Sequence, residues 1–169
     1  MDRIYIGGAL VALLALLSPV FADLSGGDAA FLKAAAEASH LEVAASRLAT
    51  VQARRPEVQA YAERALADHA RAGVTLARLA GTKSVELPVE PRLTQRARLE
   101  RLAVLRDADF DRRYLNAMAV EAHEDALRRF RKAAEATKDP DIRAYAEGRV
   151  PVLERHLAQA RALQPRAAH

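Results

Sequence analysis

The sequence predicts an all-α protein: a four-helix bundle of two helical hairpins joined by a long crossover that carries a short helix. The first observation behind this is an internal echo. Pro56-Glu57-Val58-Gln59-Ala60-Tyr61-Ala62-Glu63 returns 84 residues later as Pro140-Asp141-Ile142-Arg143-Ala144-Tyr145-Ala146-Glu147. Each copy opens a helix at a proline, which suits the first helical position because it has no N–H to leave unpaired. Almost no loop precedes either proline, so each helix must fold back antiparallel on the one before it. The second observation is composition: alanine, leucine, arginine and glutamate dominate, aromatics make up only 5%, and alternating strand-type runs are missing. The third is that the chain has no cysteine, so neither disulfides nor thiolate metal sites can hold it together and stability must come from helix packing.

Residues 1–22 read as a secretory signal peptide. Arg3 supplies positive charge, Ile4 to Leu17 form an apolar run too short for a comfortable membrane span, and Val20-Phe21-Ala22 is a small-x-small cleavage signal. The mature chain then begins at Asp23 as a single bundle domain over 23–169, in the periplasm or another exported compartment. An uncleaved anchor is the competing reading.

Asp28 is the expected N-cap of a first helix reaching about Arg54, with Phe31, Ala34, Ala38, Leu41, Ala45 and Leu48 at helical spacing. Pro56 starts a second helix whose stripe is Val58, Tyr61, Ala62, Ala65, His69, Ala72 and Leu76, ending near Gly81. The segment from Gly81 to Asp109 is long enough to travel the bundle, and Leu99, Leu102 and Leu105 in a short helix at Thr94–Leu105 would pin it outside. A third helix is expected from about Phe110 to Thr137 and a fourth from Pro140 to about Leu163, bent at Pro151, with a frayed tail from Gln164.

The net charge of +4 is spread as arginines alternating with acids, the pattern of a solvated surface. With no recognised motif and no aromatic stacking positions, nucleic acid is not an expected partner. Association with an anionic membrane surface stays open.

Chemistry concentrates in the histidines. At about 100° per residue, His69 falls at the centre of its helix stripe, His156 falls among Tyr145, Arg149, Leu153 and Ala160, and His123 shares a face with Ala119, Ala126, Leu127 and Phe130. Phe110 and Tyr114, earlier in that helix, use a different face. His40 points away from its stripe. Each of the three inward histidines lies near a helix midpoint, about 20–25 Å along helices of about 40 Å, so they occupy one layer whichever way the crossover runs. Glu42 of the first helix reaches the same layer. Three imidazoles and a carboxylate suit a transition metal such as zinc, copper, iron or nickel. The alternative is a metal-free structural or stress-related interaction module, with the histidines bonded to Tyr61, Tyr114, Tyr145 or Glu42 in a buried layer. Asp68, next to His69 in sequence, cannot share its face, so the pair is no relay. No serine or cysteine nucleophile has a base arrangement, and the reading leans away from an enzyme.

Asp28 to Leu32 with the alanine-rich stretch and Glu42 after it, Ala67-Asp68-His69, Phe110-Asp111-Arg112-Arg113-Tyr114, His123, and Pro151-Val152-Leu153-Glu154-Arg155-His156-Leu157 together resemble a family. It is that of the bacterial exported proteins labelled "predicted outer membrane protein", domain of unknown function 4142, and the resemblance spans Asp28 to Leu163. It implies a ferritin-like four-helix bundle with a long crossover. Glu42, Asp68, His69, Tyr114, His123 and His156 match the family's recurrent polar residues. The chain departs from the di-iron ferritin pattern, since neither its second nor its fourth helix carries an inward Glu-x-x-His. A degenerate di-iron oxidoreductase therefore ranks behind the other two readings, and no barrel-type strands accompany the outer-membrane label.

Overall fold

The computed structural model describes residues 24–164, so the signal-peptide reading and the tail beyond Gln164 lie outside the described residues. Six helices follow in order: α1 Gly26–Gln52, α2 Pro56–Thr82, α3 Leu93–Ala103, α4 Asp107–Arg113, α5 Ala122–Ala136 and α6 Pro140–Leu163. A π-helical segment, Tyr114–Glu121, joins α4 to α5 without a break. The third long helix is thus α4, the π segment and α5 in series. No strand occurs among the described residues.

The helix starts show why the hairpins form. Ser25, not Asp28, caps α1: its Oγ accepts from Asp28 N at 3.0 Å and donates to Asp28 Oδ2 at 2.7 Å, so Asp28 is the first-turn partner, at the third helical position, of a reciprocal cap. Pro56 and Pro140 both stand at the first helical turn. At the first hairpin turn the Asp111 carboxylate accepts from the backbone N–H groups of Arg54 (2.9 Å) and Arg55 (3.0 Å), tying that turn to α4. At the second, Asp139 caps α6 through Asp141 N and Ile142 N, and Lys83 Nζ bridges to Asp139 and Asp141 at 2.7 and 2.6 Å. α6 continues as helix through Pro151, whose ring is exposed and turned from the core.

α1 pairs with α2 and α5 with α6, and the hairpins meet through α2 against α6 and through α1 against the third long helix. The crossover lies over α1, with Leu102 fully buried, Leu99 and Leu105 half-buried, and the His40 ring bonded to the Pro88 carbonyl at 3.1 Å. Buried apolar side chains fall into two clusters. One gathers Leu41, Ala45, Tyr61, Phe110, Tyr114 and Met118, the other Phe31, Leu32, Leu76, Phe130, Leu153 and Leu157. The buried face of α1 is Leu32, Ala35, Ala36, Leu41, Glu42, Ala45 and Ala49, rotated from the expected stripe so that Ala34, Ala38 and Leu48 are half-buried. Alanine on every side of α1 leaves its apolar direction weakly marked, and this rotation carries Glu42 inside.

The echoed tyrosines occupy counterpart places. The Tyr61 ring of α2 packs edge-on against His156 of α6, with centroids 6.2 Å apart, and the Tyr145 hydroxyl of α6 donates to the Ala72 carbonyl of α2 at 3.4 Å. Residues 61 and 145, and 72 and 156, are both separated by the 84-residue repeat.

Candidate metal centre

Three histidines converge between the two apolar clusters. His69 comes from the middle of α2, His123 from the first turn of α5 and His156 from α6, and all three are buried. Their ring centroids form a nearly equilateral triangle with sides of 5.3, 5.4 and 5.5 Å. His69 Nε2 and His123 Nε2 are 3.3 Å apart, as are His123 Nε2 and His156 Nδ1, and one nitrogen from each ring lies within 4.8 Å of the others. For metal–nitrogen bonds of about 2.0–2.1 Å at trigonal to tetrahedral angles, neighbouring donors fall about 3.3–3.6 Å apart.

The π segment is what brings His123 here. Tyr114 and His123 are nine residues apart and would face opposite sides of an α-helix, at about 100° per residue. Both are buried at 1% exposure, because each π turn takes about one residue more than an α turn and restores the common face. Close approach of α1 and α2 steadies His69: the Ser39 hydroxyl donates to the His69 carbonyl at 3.4 Å, and a Cβ on Gly73 would meet Ser39 Oγ at 3.3 Å.

Hydrogen bonds on the outer sides of the rings set the tautomers. His123 Nδ1 lies 3.3 Å from the Met118 carbonyl, which can only accept, so Nδ1 carries the proton. His156 Nε2 lies 2.9 Å from Asp68 Oδ2 and donates to it. Burial, with help from His156 and Arg149 and against the Met118 bond, pushes the His123 imidazole down to about 4. Burial also depresses His69 well below the usual histidine range, and depresses His156 despite its bond to Asp68. Neutral His123 and His156 therefore turn two bare nitrogens toward each other at 3.3 Å, a contact with no proton to make it a hydrogen bond.

Glu42 is buried beside the triad, but its carboxyl approaches His123 from the other side, with Oε1 4.0 Å from Nδ1. It stands outside the set of mutually close donor nitrogens. Burial pushes its carboxyl up to about 8, against the pull of Arg98. Between that value and the His123 value of about 4 both partners are uncharged, so the contact is no ion pair at neutral pH.

The tyrosines do not serve the histidines. Tyr114 OH pairs with Ser46 Oγ at 3.3 Å, Tyr145 OH reaches the Ala72 carbonyl, and Tyr61 OH is buried without a partner. His40 is exposed, as its phase implies. Asp68 does not pair with His69, yet it orients His156 across the α2–α6 interface. Despite the cost of burial, its bond to His156 and its pairing with Arg71 hold the Asp68 carboxyl below the ordinary carboxylate value. Its only sequence signal was its place in Ala67-Asp68-His69.

Fold and site together define a class: an all-α bundle of two hairpins with three imidazoles gathered at its midplane. The chain belongs to the family described as "Domain of unknown function (DUF4142)", whose model matches residues 19–163. No curated protein matches it. Two solved structures share the fold. One is "CopM in the Cu(I)-bound form", at 15% identity and a TM-score of 0.67, over 80% of this chain and 93% of that one. The other is a conserved hypothetical protein, rv2844, from Mycobacterium tuberculosis, at 18% identity and a TM-score of 0.64, over 85% of this chain and 96% of that one. Among the described residues no helix is long and apolar enough to cross a membrane.

Proposed function

We propose that this is an exported protein that binds one transition-metal ion through Nε2 of His69, Nε2 of His123 and Nδ1 of His156. The observation that carries the reading is the pair of bare imidazole nitrogens, on His123 and His156, facing each other at 3.3 Å. Converging lone pairs repel, and a cation between them turns that repulsion into two bonds. Outer acceptors on metal-bound histidines are the usual way of fixing a ligand ring, and the Met118 carbonyl and Asp68 fill that role here. Glu42 bears on His123 from behind the ring, a supporting position for that ligand.

Imidazole suits zinc, copper, iron and nickel, and divalent copper binds most tightly of the first-row series. A fold neighbour described as Cu(I)-bound makes copper the first ion to try and zinc the second. Export rests on the reading of residues 1–22.

The test is titration of the purified chain from Asp23 with Cu(I), Cu(II) and Zn(II) against a competing chelator. One equivalent should bind tightly. His69→Ala, His123→Ala and His156→Ala should each abolish tight binding, and His40→Ala should leave it unchanged. Failure of the unmutated protein to bind any of the three ions, or equal loss in His40→Ala, refutes the reading.

A further inference from the structure

His69 and His123 form part of the wall of a cavity of about 70 Å³, which also takes in Phe130, Leu153, Arg98 and Arg149. One water needs about 10–15 Å³ on the same measure, so the space admits a small polyatomic ion and not a large organic ligand. The exposed Asp125 on its rim opens it to solvent.

The two arginines on this wall differ. Arg98, from α3, is engaged: its Nη2 donates to the Ala117 carbonyl at 3.1 Å and faces Glu121 at 3.5 Å. Arg149, from α6, is half-buried and makes no hydrogen bond or ion pair among the described residues. The acids nearby are committed elsewhere. Asp125 pairs with Arg128 and Asp68 with His156 and Arg71, while Glu42, on the same wall, is uncharged at neutral pH and cannot balance the guanidinium. A partly desolvated guanidinium with five donors and no acceptor is costly, and it lies where a bound cation would repel it. An anion between the two answers both costs, and the planar fork of arginine matches an oxyanion.

We propose that this cavity is a small-oxyanion site, in which Arg149 holds a carboxylate- or carbonate-sized ion beside the metal bound by the three histidines. The inference rests on the metal reading above and adds the class of ligand that accompanies the metal. The apolar wall of Phe130 and Leu153 limits the ion's size.

The experiment uses the Cu(II)-loaded protein titrated with sodium formate, followed by visible absorption and electron paramagnetic resonance, with sodium chloride as the ionic-strength control. Formate should shift both spectra saturably. Arg149→Ala should weaken formate binding about ten- to hundredfold, the worth of hydrogen bonds to a charged group, while Cu(II) affinity holds or rises as a repelling charge is removed. Arg78→Ala, which removes an exposed charge of α2 outside the cavity, should change neither value. Arg149→Lys keeps the charge without the fork, should lose less, and serves if the alanine variant fails to fold. A formate-blind spectrum in a protein that binds Cu(II), or equal losses in Arg149→Ala and Arg78→Ala, overturns the oxyanion site and leaves the metal site standing. Absence of Cu(II) binding by the unmutated protein overturns both.

Discussion

Replacing Asp68 with alanine removes the acceptor for His156 Nε2–H and frees that ring to place its proton on Nδ1, the nitrogen assigned to the metal. Outer acceptors of this kind are worth about 10- to 100-fold in metal affinity. That corresponds to about 1.4–2.8 kcal/mol at 1.4 kcal/mol per tenfold. The Asp68 side chain is 23% exposed, so solvent screens the contact and the expected loss sits at the lower end, about 10- to 30-fold. The sign with pH follows from a folded carboxyl held below its unfolded value of 3.8: the contribution is complete above that value and is lost as pH falls through the lower, folded one. At pH 7 the full effect is readable. Chelator competition with copper gives the affinity, and circular dichroism shows that the bundle persists. Arg71→Ala removes the other partner of Asp68 and leaves the His156 bond in place, so it should cost little. Unchanged affinity in Asp68→Ala, or an equal loss in Arg71→Ala, refutes the tautomer argument.

Glu42→Gln tests the buried carboxyl in the metal-free protein. Its folded value of about 8 lies above the unfolded 4.5, so the folded state keeps a proton the unfolded state has released, and stability declines as pH rises across that window. The amide cannot ionise, so the variant should flatten the decline seen in urea melts between pH 5 and 8; an unchanged slope rules Glu42 out as its source. His123 works in the opposite sense: its folded value of about 4 lies below the unfolded 6.5, so stability is lost as pH falls from 6.5 toward 4, and His123→Gln should reduce that acid loss. Tyr61→Phe deletes a buried hydroxyl that has no partner while keeping the ring contacts with Tyr114 and His156. It should stabilise by about 1 kcal/mol, or raise Tm by about 2–4 °C for a domain of this size; a lower Tm shows that the hydroxyl is bonded.

The hairpins, the crossover and the inward turn of three histidines were legible because periodicity and proline position depend only on local geometry. Expectation and structure part where the outcome depends on departures from the ideal α-helix or on neighbouring elements. The mismatch of face between Tyr114 and His123 was itself the trace of the π segment, visible in sequence but without a stated cause until the extra residue per turn explained it. Asp68 was set aside on intrahelical phase alone, a valid argument about His69 that says nothing of a partner on α6. Glu42 was placed in the right layer, yet which side of His123 it would take depends on the rotation of an alanine-rich helix, and that pattern specifies it poorly.

The site also departs from the 84-residue repeat that relates the two hairpins. A metal pair made by doubling one hairpin would draw the same residue from each copy. At the 84-residue spacing, however, His69 corresponds to Leu153, His156 to Ala72, Asp68 to Val152 and Glu42 to Ala126. These four polar residues have apolar counterparts, and the fifth, His123, corresponds to Ser39, so the two-fold relation of the helices is kept in the packing of Tyr61 and Tyr145 and abandoned in the chemistry. One apolar half-site leaves room for a single ion and for the cavity that Leu153 helps to wall. The π segment belongs to the same break in symmetry: its extra residue turns the third helix so that His123 completes a triangle with His69 and His156. Removing one residue from Tyr114–Glu121 so that a regular helix forms there should leave Tyr114 and His123 eight residues apart, put His123 about 80° off the shared face, and end tight metal binding while the four-helix architecture persists.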